Sequence, residues 1–372
     1  MNKNQNDQVF MAEALRLAEK GLYTTRTNPR VGCVIVKDGE IAGRGYHLSP
    51  GNPHAEILAL DSVTDCASAT IYVSLEPCSH HGKTPPCAEA LVAAKVSRVV
   101  AAMTDPNPLV NGRGLKFLQS HGIQTETNIL KSEAAELNKG FAKRMTSGRP
   151  YMTVKSAISV DGKTALQSGE SKWISSNESR VDVQKLRARS CAIMTGIDTV
   201  VADDPNLTVR LSNEELAIEN HIQQPKRVIL DTDLRISSSA KVLNQAEDEG
   251  VIIYTCAAEN KKSIKLKKNN VEIVITKKVN NHVDLNTVMN DLAKRGINEV
   301  LVEAGSTLVG SLFENKLVDE MIIYMAPHIM GDASFGLAKL DSIQVMQDRI
   351  EFDISQTRKI GKDIKLQLKP QY

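Results

Sequence analysis

With 372 residues, 41% of them hydrophobic, the chain is long enough for two domains, each with its own core. Lys and Arg total 46 against 44 Asp and Glu, so a formal net charge of +2 excludes the basic field of a nucleic-acid partner, and 4% aromatic content excludes a stacking platform for bases. The first ten residues are polar and no apolar run approaches about 18 residues, so no secretory signal or membrane partner is expected. Six cysteines in such a chain point to a reducing, cytoplasmic setting.

Phe10, Met11, Ala14, Leu15, Leu17 and Ala18 recur at helical spacing and predict a first helix ending at Gly21. VGCVIV reads as a buried-type strand, Asp38-Gly39 as a hairpin turn and IAGRGYH as the returning strand. HAEILAL, preceded by Pro53, predicts a second helix. TIYVSLEP predicts a third strand that delivers Cys78 at its end, and Pro85-Pro86-Cys87 opens a helix through Ala94, with proline in the first turn where its missing N–H costs little. SRVVAAMT and GIQTETNIL are further strands with a helix between them, and AAELNKGFAKR is a helix. The alternation predicts a layered α/β domain with helices covering a mostly buried sheet.

Residues 145–150, MTSGRP, have the composition of a linker and divide the chain into domains 1–146 and 147–372. The second half has its own pattern. YMTVKSAIS is a strand, VDGKT a turn, and VDVQKLRARS a helix feeding the strand CAIMTGI. PKRVILD, EGVIIYT and NEVLVEAG are strands, KKSIKLKKNN is most simply a solvated connector, STLVGSLFENKLVDEM begins a helix, and EFDISQTRKIGKDIKLQLKP resembles a final hairpin.

The chemistry concentrates between His54 and Cys87. His54, Cys78 and Cys87 offer one imidazole and two thiols, the ligand set of a catalytic zinc whose fourth position stays open for water, and Glu56 sits at the start of a helix where it can move protons. Both thiols fall near a helix N-terminus, whose dipole favours thiolate. The pattern H-x-E, then P-C and a second Cys, belongs to zinc deaminases of bases and nucleosides, with eight residues between the cysteines here instead of two. A structural zinc with Cys33, Cys66, His80 or His81 as fourth ligand is the alternative, but it has no use for Glu56, and a Cys78–Cys87 disulfide conflicts with a reducing compartment.

A second feature is Glu303-Ala304-Gly305-Ser306-Thr307, where a strand ends in glycine and feeds a helix. Unpaired N–H groups there face an anion, and Ser306, Thr307 and Gly310 are small enough for a phosphate to approach. There is no GxGxxG, and a positive φ would be reason enough for the glycine. Asp203-Asp204 before Pro205 can likewise be a turn alone, and Lys83 beside Gly82 is either a phosphate or carbonyl partner or a solvated lysine.

TNPRVGCVIV, HAE, LEPCSHHGKTPPC and DPNPLVNGRG, in this order, resemble the deaminase half of the bifunctional riboflavin-biosynthesis deaminase/reductase family, whose own variant is the long spacer SHHGKTPP. KSAISVDGKTA, SKWISS, GIDTVVADDPNLTVR, VILDT and VEAGSTLVGS resemble its reductase half, so the resemblance covers nearly the whole chain. Thr27 departs from the family's usual proline, Lys83 stands where Arg is also common, Val160 where Leu is frequent and Ala304 where Gly is frequent.

The resemblance implies an N-terminal cytidine-deaminase-like three-layer αβα domain and a C-terminal dihydrofolate-reductase-like α/β domain. It implies zinc-dependent deamination of a diamino-ribosylamino-pyrimidinone 5′-phosphate, then NADPH-dependent reduction of the aminouracil product's ribosyl group to ribityl, in a homo-oligomer, dimer or tetramer. Carried over by motif, His54, Cys78 and Cys87 hold Zn²⁺, Glu56 is catalytic, and Asn28, His47 and Lys83 contact the deaminase substrate. Ala157, Trp173, Thr199, Asp203 and Thr232 line the NADPH site, together with Gly305, Ser306, Thr307, Leu308, Val309, Gly310 and Ser311. Ser171, Arg187, Leu207, Arg210 and Glu303 hold the phosphoribosyl substrate, and Lys155 or Asp203 assists with a proton. Two rivals are a tRNA-base deaminase with an added binding domain, which the charge, aromatic content and long spacer oppose, and a binding protein with a structural zinc, which an ammonia-release assay separates from the enzyme.

Overall fold

The computed structural model describes residues 3–80, 85–219, 222–244 and 250–372. The chain divides into two compact units, Met1–Arg149 and Pro150–Tyr372.

The first unit runs α1 (Lys3–Glu19), β1 (Gly32–Lys37), β2 (Glu40–Tyr46), α2 (Ala55–Asp61), β3 (Thr70–Val73), α3 (Cys87–Ala93), β4 (Arg98–Ala101), α4 (Arg113–Ser120), β5 (Gln124–Thr127), α5 (Lys131–Leu137) and α6 (Lys139–Ser147). Its five strands form one sheet in the order β2-β1-β3-β4-β5, with β1 antiparallel to both neighbours and β3 to β5 parallel. Strand side chains alternate between two cores. Cys33, Ile35, Ile71 and Val99 pack with Ala55, Leu91 and Leu118 of α2, α3 and α4, while Val34, Tyr72 and Val100 pack with Met11 of α1 and Phe141 of α6. Helices therefore cover both faces, the three-layer arrangement expected. Gly32 and Gly45 bring α1 and α2 down onto the hairpin: a Cβ on Gly32 would lie 2.0 Å from the Ala14 carbonyl oxygen, and one on Gly45 2.2 Å from that of Ala55.

Three local expectations change here. Strand β3 stops at Val73, so Cys78 lies in the following loop. AAELNKGFAKR is two helices broken at Asn138, because that buried amide accepts from the Arg30 N–H at 2.7 Å and donates to the Arg30 carbonyl at 2.9 Å. Helix α6 continues through Met145 and Thr146 to Ser147 and ends on Gly148 at φ 68°, so helix occupies part of the stretch read as linker.

The second unit carries β6 (Tyr151–Ser159), β7 (Lys163–Ala165), α7 (Asn177–Arg189), β8 (Ala192–Gly196), α8 (Ile197–Asp203), β9 (Lys226–Leu230), β10 (Val251–Thr255), β11 (Val271–Ile275), β12 (Lys278–Val279), β13 (His282–Val283), β14 (Glu299–Val302), β15 (Glu320–Ala326), β16 (Phe335–Gly336), β17 (Glu351–Ile360) and β18 (Asp363–Gln371). Nine of these form a sheet ordered β11-β10-β9-β8-β14-β6-β15-β18-β17, parallel from β11 to β15 and closed by the antiparallel β17–β18 hairpin. Helices Leu285–Lys294 and Ser306–Glu314 cover one face, with Val288, Leu292 and Val309 against Val154, Val228 and Val302. On the other face, α8 packs Ile197 and Val200 against Ile193 and Ile229, and α7 packs Val183 and Leu186 against Leu301 and Ile322.

KKSIKLKKNN is not a connector. Its first seven residues form the helix Lys261–Lys267, started by a capping box in which Asn260 accepts from Ser263 N–H and Ser263 accepts from Asn260 N–H, and its Leu266 is buried. The lysines are the solvated face of a short helix. Strand β11 and helix Leu285–Lys294 have no counterpart in the elements predicted from the sequence.

Candidate active sites

In the first unit His54 is the N-cap of α2 with extended backbone, which turns its ring out of the helix, and Glu56 occupies the first turn, 4% exposed. Cys87 is the first residue of α3. Cys78 lies against the same helix start, its sulfur accepting from the Cys87 N–H at 3.3 Å and its carbonyl from the Ala88 N–H at 3.1 Å. Both thiols thus sit at one helix N-terminus, as expected.

His54 Nδ1 lies 3.2 Å from Cys87 Sγ and 3.6 Å from Cys78 Sγ, and the three atoms fall within 4.8 Å of one another. Zinc bonded tetrahedrally to nitrogen and sulfur holds such atoms about 3.6 Å apart, so the donor set fits the metal with little movement. Among the described residues these are the only three His, Cys, Asp or Glu side chains that converge in this way. Cys33 and Cys66 stand outside the group and His80 is exposed, so none of them is a fourth ligand; His81 and Lys83 lie outside the described residues. All six cysteines are free, which removes the disulfide alternative.

The electrostatics are those of a metal site. The Cys78 thiol is pushed down to about 4 by the hydrogen bond from Cys87, against burial and with help from His54, while the same bond and burial push Cys87 up. Burial, then the Cys78 charge, pushes Glu56 up to about 7.

His47, 3% exposed, places its Nδ1 3.2 Å from the Pro53 carbonyl and its Nε2 2.9 Å from Asn28 Nδ2. A carbonyl can only accept, so Nδ1 carries the proton and Nε2 accepts from the Asn28 amide. Burial, with His54 nearby, lowers the His47 pKa and keeps this ring neutral. The Asn28 carbonyl oxygen is left to accept elsewhere. Glu76 was not singled out from the sequence, yet its buried carboxylate accepts from the N–H groups of Asp105 at 3.0 Å, Gly112 at 2.8 Å and Gly114 at 2.9 Å. It ties the DPNPLVNGRG loop to the segment carrying Cys78. Its signal was its place directly before Pro77-Cys78.

In the second unit a cavity of about 840 Å³ opens at the carboxyl ends of β8 and β14 and beside β6. Ala157, Ser171, Trp173, Thr199, Asp203 and Leu207 line it, as do Arg187, Arg210 and Glu303, and Gly305 through Leu308 form its helix-start wall. Four expected residues do not. Val309 is fully buried in the core, and Ser311 and Thr232 lie outside the lining, the Thr232 carbonyl accepting from the Cys256 N–H at 2.9 Å. The fourth, Gly310, is buried, and a Cβ there would lie 1.8 Å from the Lys339 carbonyl oxygen, so close packing requires glycine at this position.

Gly305 is different. Its φ is −75°, and a Cβ would meet nothing within 4 Å, so neither left-handed backbone nor a close neighbour requires glycine. Asp203 ends α8 at the rim, whereas Asp204 is the left-handed cap and accepts from Lys241 N–H at 2.8 Å. Arg187 is committed before any ligand arrives, to Glu303 through two bonds and to the Thr208 carbonyl at 3.0 Å. Lys155 lies beside this pair, and burial, with the Arg187 charge, lowers its pKa. Arg180 and Gln184 also line the cavity and were missed; their spacing with Arg187 on one face of α7 was the available signal.

The family described as the cytidine and deoxycytidylate deaminase zinc-binding region matches residues 4–103, and the RibD C-terminal domain matches residues 150–366. The riboflavin biosynthesis protein RibD of Escherichia coli is 46% identical over 368 residues, covering 97% of this chain and 99% of its own, so the likeness includes both units. Among solved structures, RibD of Acinetobacter baumannii superposes with a TM-score of 0.91 at 42% identity, and a diaminohydroxyphosphoribosylaminopyrimidine deaminase/5-amino-6-(5-phosphoribosylamino)uracil reductase of Thermotoga maritima with 0.87 at 30%, each covering the whole of both chains. Among the described residues no helix is long and apolar enough to cross a membrane.

Proposed function

This chain belongs to the RibD family, bifunctional riboflavin-biosynthesis enzymes that deaminate a phosphoribosyl pyrimidine and then reduce its ribosyl group, and from that premise we propose which residues carry each reaction. The rival readings, a nucleic-acid base editor and a zinc-stabilised binding protein, are set aside with it.

The deaminase site is the first unit's cluster, with His54, Cys78 and Cys87 holding Zn²⁺. The single observation that carries this is the match between the imidazole-to-thiol separations of 3.2 and 3.6 Å and tetrahedral zinc. Bound there, zinc supplies the Lewis acidity that makes water a nucleophile near neutral pH. Glu56 takes a proton from the attacking water and delivers it to the departing amine, so that ammonia leaves and a carbonyl remains. It is buried in the first turn of α2, two residues after His54. Asn28, oriented by neutral His47, offers its carbonyl oxygen to the substrate, and Lys83 is a further contact.

The reductase site is the second unit's cavity, and NADPH supplies the hydride there. Gly305, Ser306, Thr307 and Leu308 present the helix start to its phosphates, with Ala157, Trp173, Thr199 and Asp203 along the remaining wall. Arg210 and Ser171 face the phosphoribosyl substrate beside Leu207, and Arg187 orients Glu303 toward it. Lys155 holds a proton at Nζ for the ring oxygen, which takes it as its bond to the anomeric carbon breaks. A homo-oligomer, dimer or tetramer, is supported by the family resemblance, and a cytoplasmic setting by that resemblance and by the six free cysteines.

Metal removal tests the division. Chelator-treated protein should lose ammonia release from the pyrimidine and recover it with added zinc, while NADPH oxidation by the aminouracil phosphate continues throughout. Loss of both activities together would contradict the assignment of zinc to the deaminase alone.

A further inference from the structure

The cavity face of α7 carries three long polar side chains, Arg180, Gln184 and Arg187, at one face's spacing. Two of them hold another cavity residue: Arg187 grips Glu303, and Gln184 accepts from the Arg210 N–H at 2.9 Å. The third does the same for an aromatic ring. Arg180 Cζ lies 4.5 Å from the centroid of Trp173, and the guanidinium is anchored by bonds to the Ser175 carbonyl at 2.8 Å and to Asn177 Oδ1 at 3.3 Å.

Trp173 is the only tryptophan in the chain and is 71% exposed at the cavity wall. An indole with so little packing around it keeps one orientation only if something fixes it, and an arginine that is itself tied down on a helix supplies that restraint. The guanidinium covers one face of the ring, and Trp173 is itself part of the cavity lining.

We propose that Arg180 is a positioning residue that pre-orients Trp173, so that the free face of the indole stacks on a planar ring of the nicotinamide cofactor. This rests on the reading that the Trp173 wall of the cavity takes that cofactor. The cost of ordering the indole is met before binding, and the gain appears as affinity, not as a change in the hydride step.

Because Trp173 is the single tryptophan, the emission of the full-length protein reports on this site alone. Calorimetry measures NADPH binding and fluorescence measures its effect on Trp173. NADPH should quench wild-type emission. Arg180→Ala should raise the NADPH Kd roughly two- to fivefold, the scale of an exposed cation–π contact, with unchanged melting temperature and greater quenching by acrylamide before cofactor is added. Arg180→Lys should recover part of the loss, and Arg180→Ala with Trp173→Ala should bind no more weakly than Trp173→Ala alone. An Arg180→Ala variant with wild-type affinity, or a double variant in which the two losses add, overturns the positioning role. NADPH that binds by calorimetry without altering emission overturns the placement of the cofactor at Trp173, and the proposal with it.

Discussion

Arg187 and Glu303, 116 residues apart, form two parallel hydrogen bonds, Nε to Oε1 at 2.6 Å and Nη2 to Oε2 at 2.9 Å, with both side chains nearly buried at the cavity floor. Burial alone would push the Glu303 carboxyl up, but Arg187, with Lys155 and Arg210, holds it below its ordinary value. Glu303→Gln leaves Arg187 without its counter-charge beside Lys155. It should therefore destabilise the protein by about 3 kcal/mol at neutral pH, read as a lower urea midpoint, and weaken the aminouracil substrate. A carboxylate with a depressed folded-state pKa adds stability that is complete above its unfolded value of about 4.3 and is lost as pH falls through the folded one. The wild type should lose that increment in acid and the variant should have none to lose. Equal urea midpoints at neutral pH would show the pair contributes little.

Glu56→Gln preserves shape and removes the proton carrier. Zinc content by metal analysis should be unchanged, while the deamination rate falls by roughly two to four orders of magnitude. Loss of zinc in this variant would make Glu56 a ligand.

Metal uptake should be pH-dependent. Cys87, pushed up by its bond with Cys78 and by burial, keeps its proton in the metal-free site, and zinc must displace it. Apparent zinc affinity, measured by chelator competition, should therefore rise from about pH 6 to about pH 8. Cys87→Ser should lose both metal and deamination. Affinity that stays flat with pH, or full zinc in Cys87→Ser, contradicts the ligand assignment.

Two glycines of one helix should respond in opposite ways. Gly305 has open space around its absent Cβ and ordinary φ, so Gly305→Val should fold normally and weaken NADPH binding. Gly310 has the Lys339 backbone 1.8 Å from where its Cβ would stand, so Gly310→Ala should lower the melting temperature. A Gly305→Val variant with unchanged NADPH affinity would remove the phosphate role from that helix start.

The two activities should separate when the chain is cut between Arg149 and Pro150, because a cut after Thr146 removes the last helical residue of α6 and its Gly148 cap. The first fragment should bind zinc and deaminate, and the second should oxidise NADPH with the aminouracil phosphate. Circular dichroism establishes folding first. Two folded but inactive fragments would mean that each site needs residues from the other half.

The sequence alone determined features carried by short-range chemistry. The imidazole, carboxylate and thiols lie at helix starts marked by Pro53 and by Pro85-Pro86, and the strand-helix alternation that layers each sheet is a local hydrophobic pattern. Tertiary structure decided what depends on a distant partner or on which part of a helix is buried. Asn138 breaks a helix because Arg30 arrives from 108 residues away, and Glu76 ties down a loop whose N–H groups lie up to 38 residues further along. Of the segment 305–311, the first four residues form the helix start that meets the cavity, while Val309 and Gly310, a turn further along, are buried, although all seven share one motif. A motif records which residue types recur together; which of them faces a ligand is settled by packing, since a side chain in the core or against a neighbouring backbone has no surface left to offer.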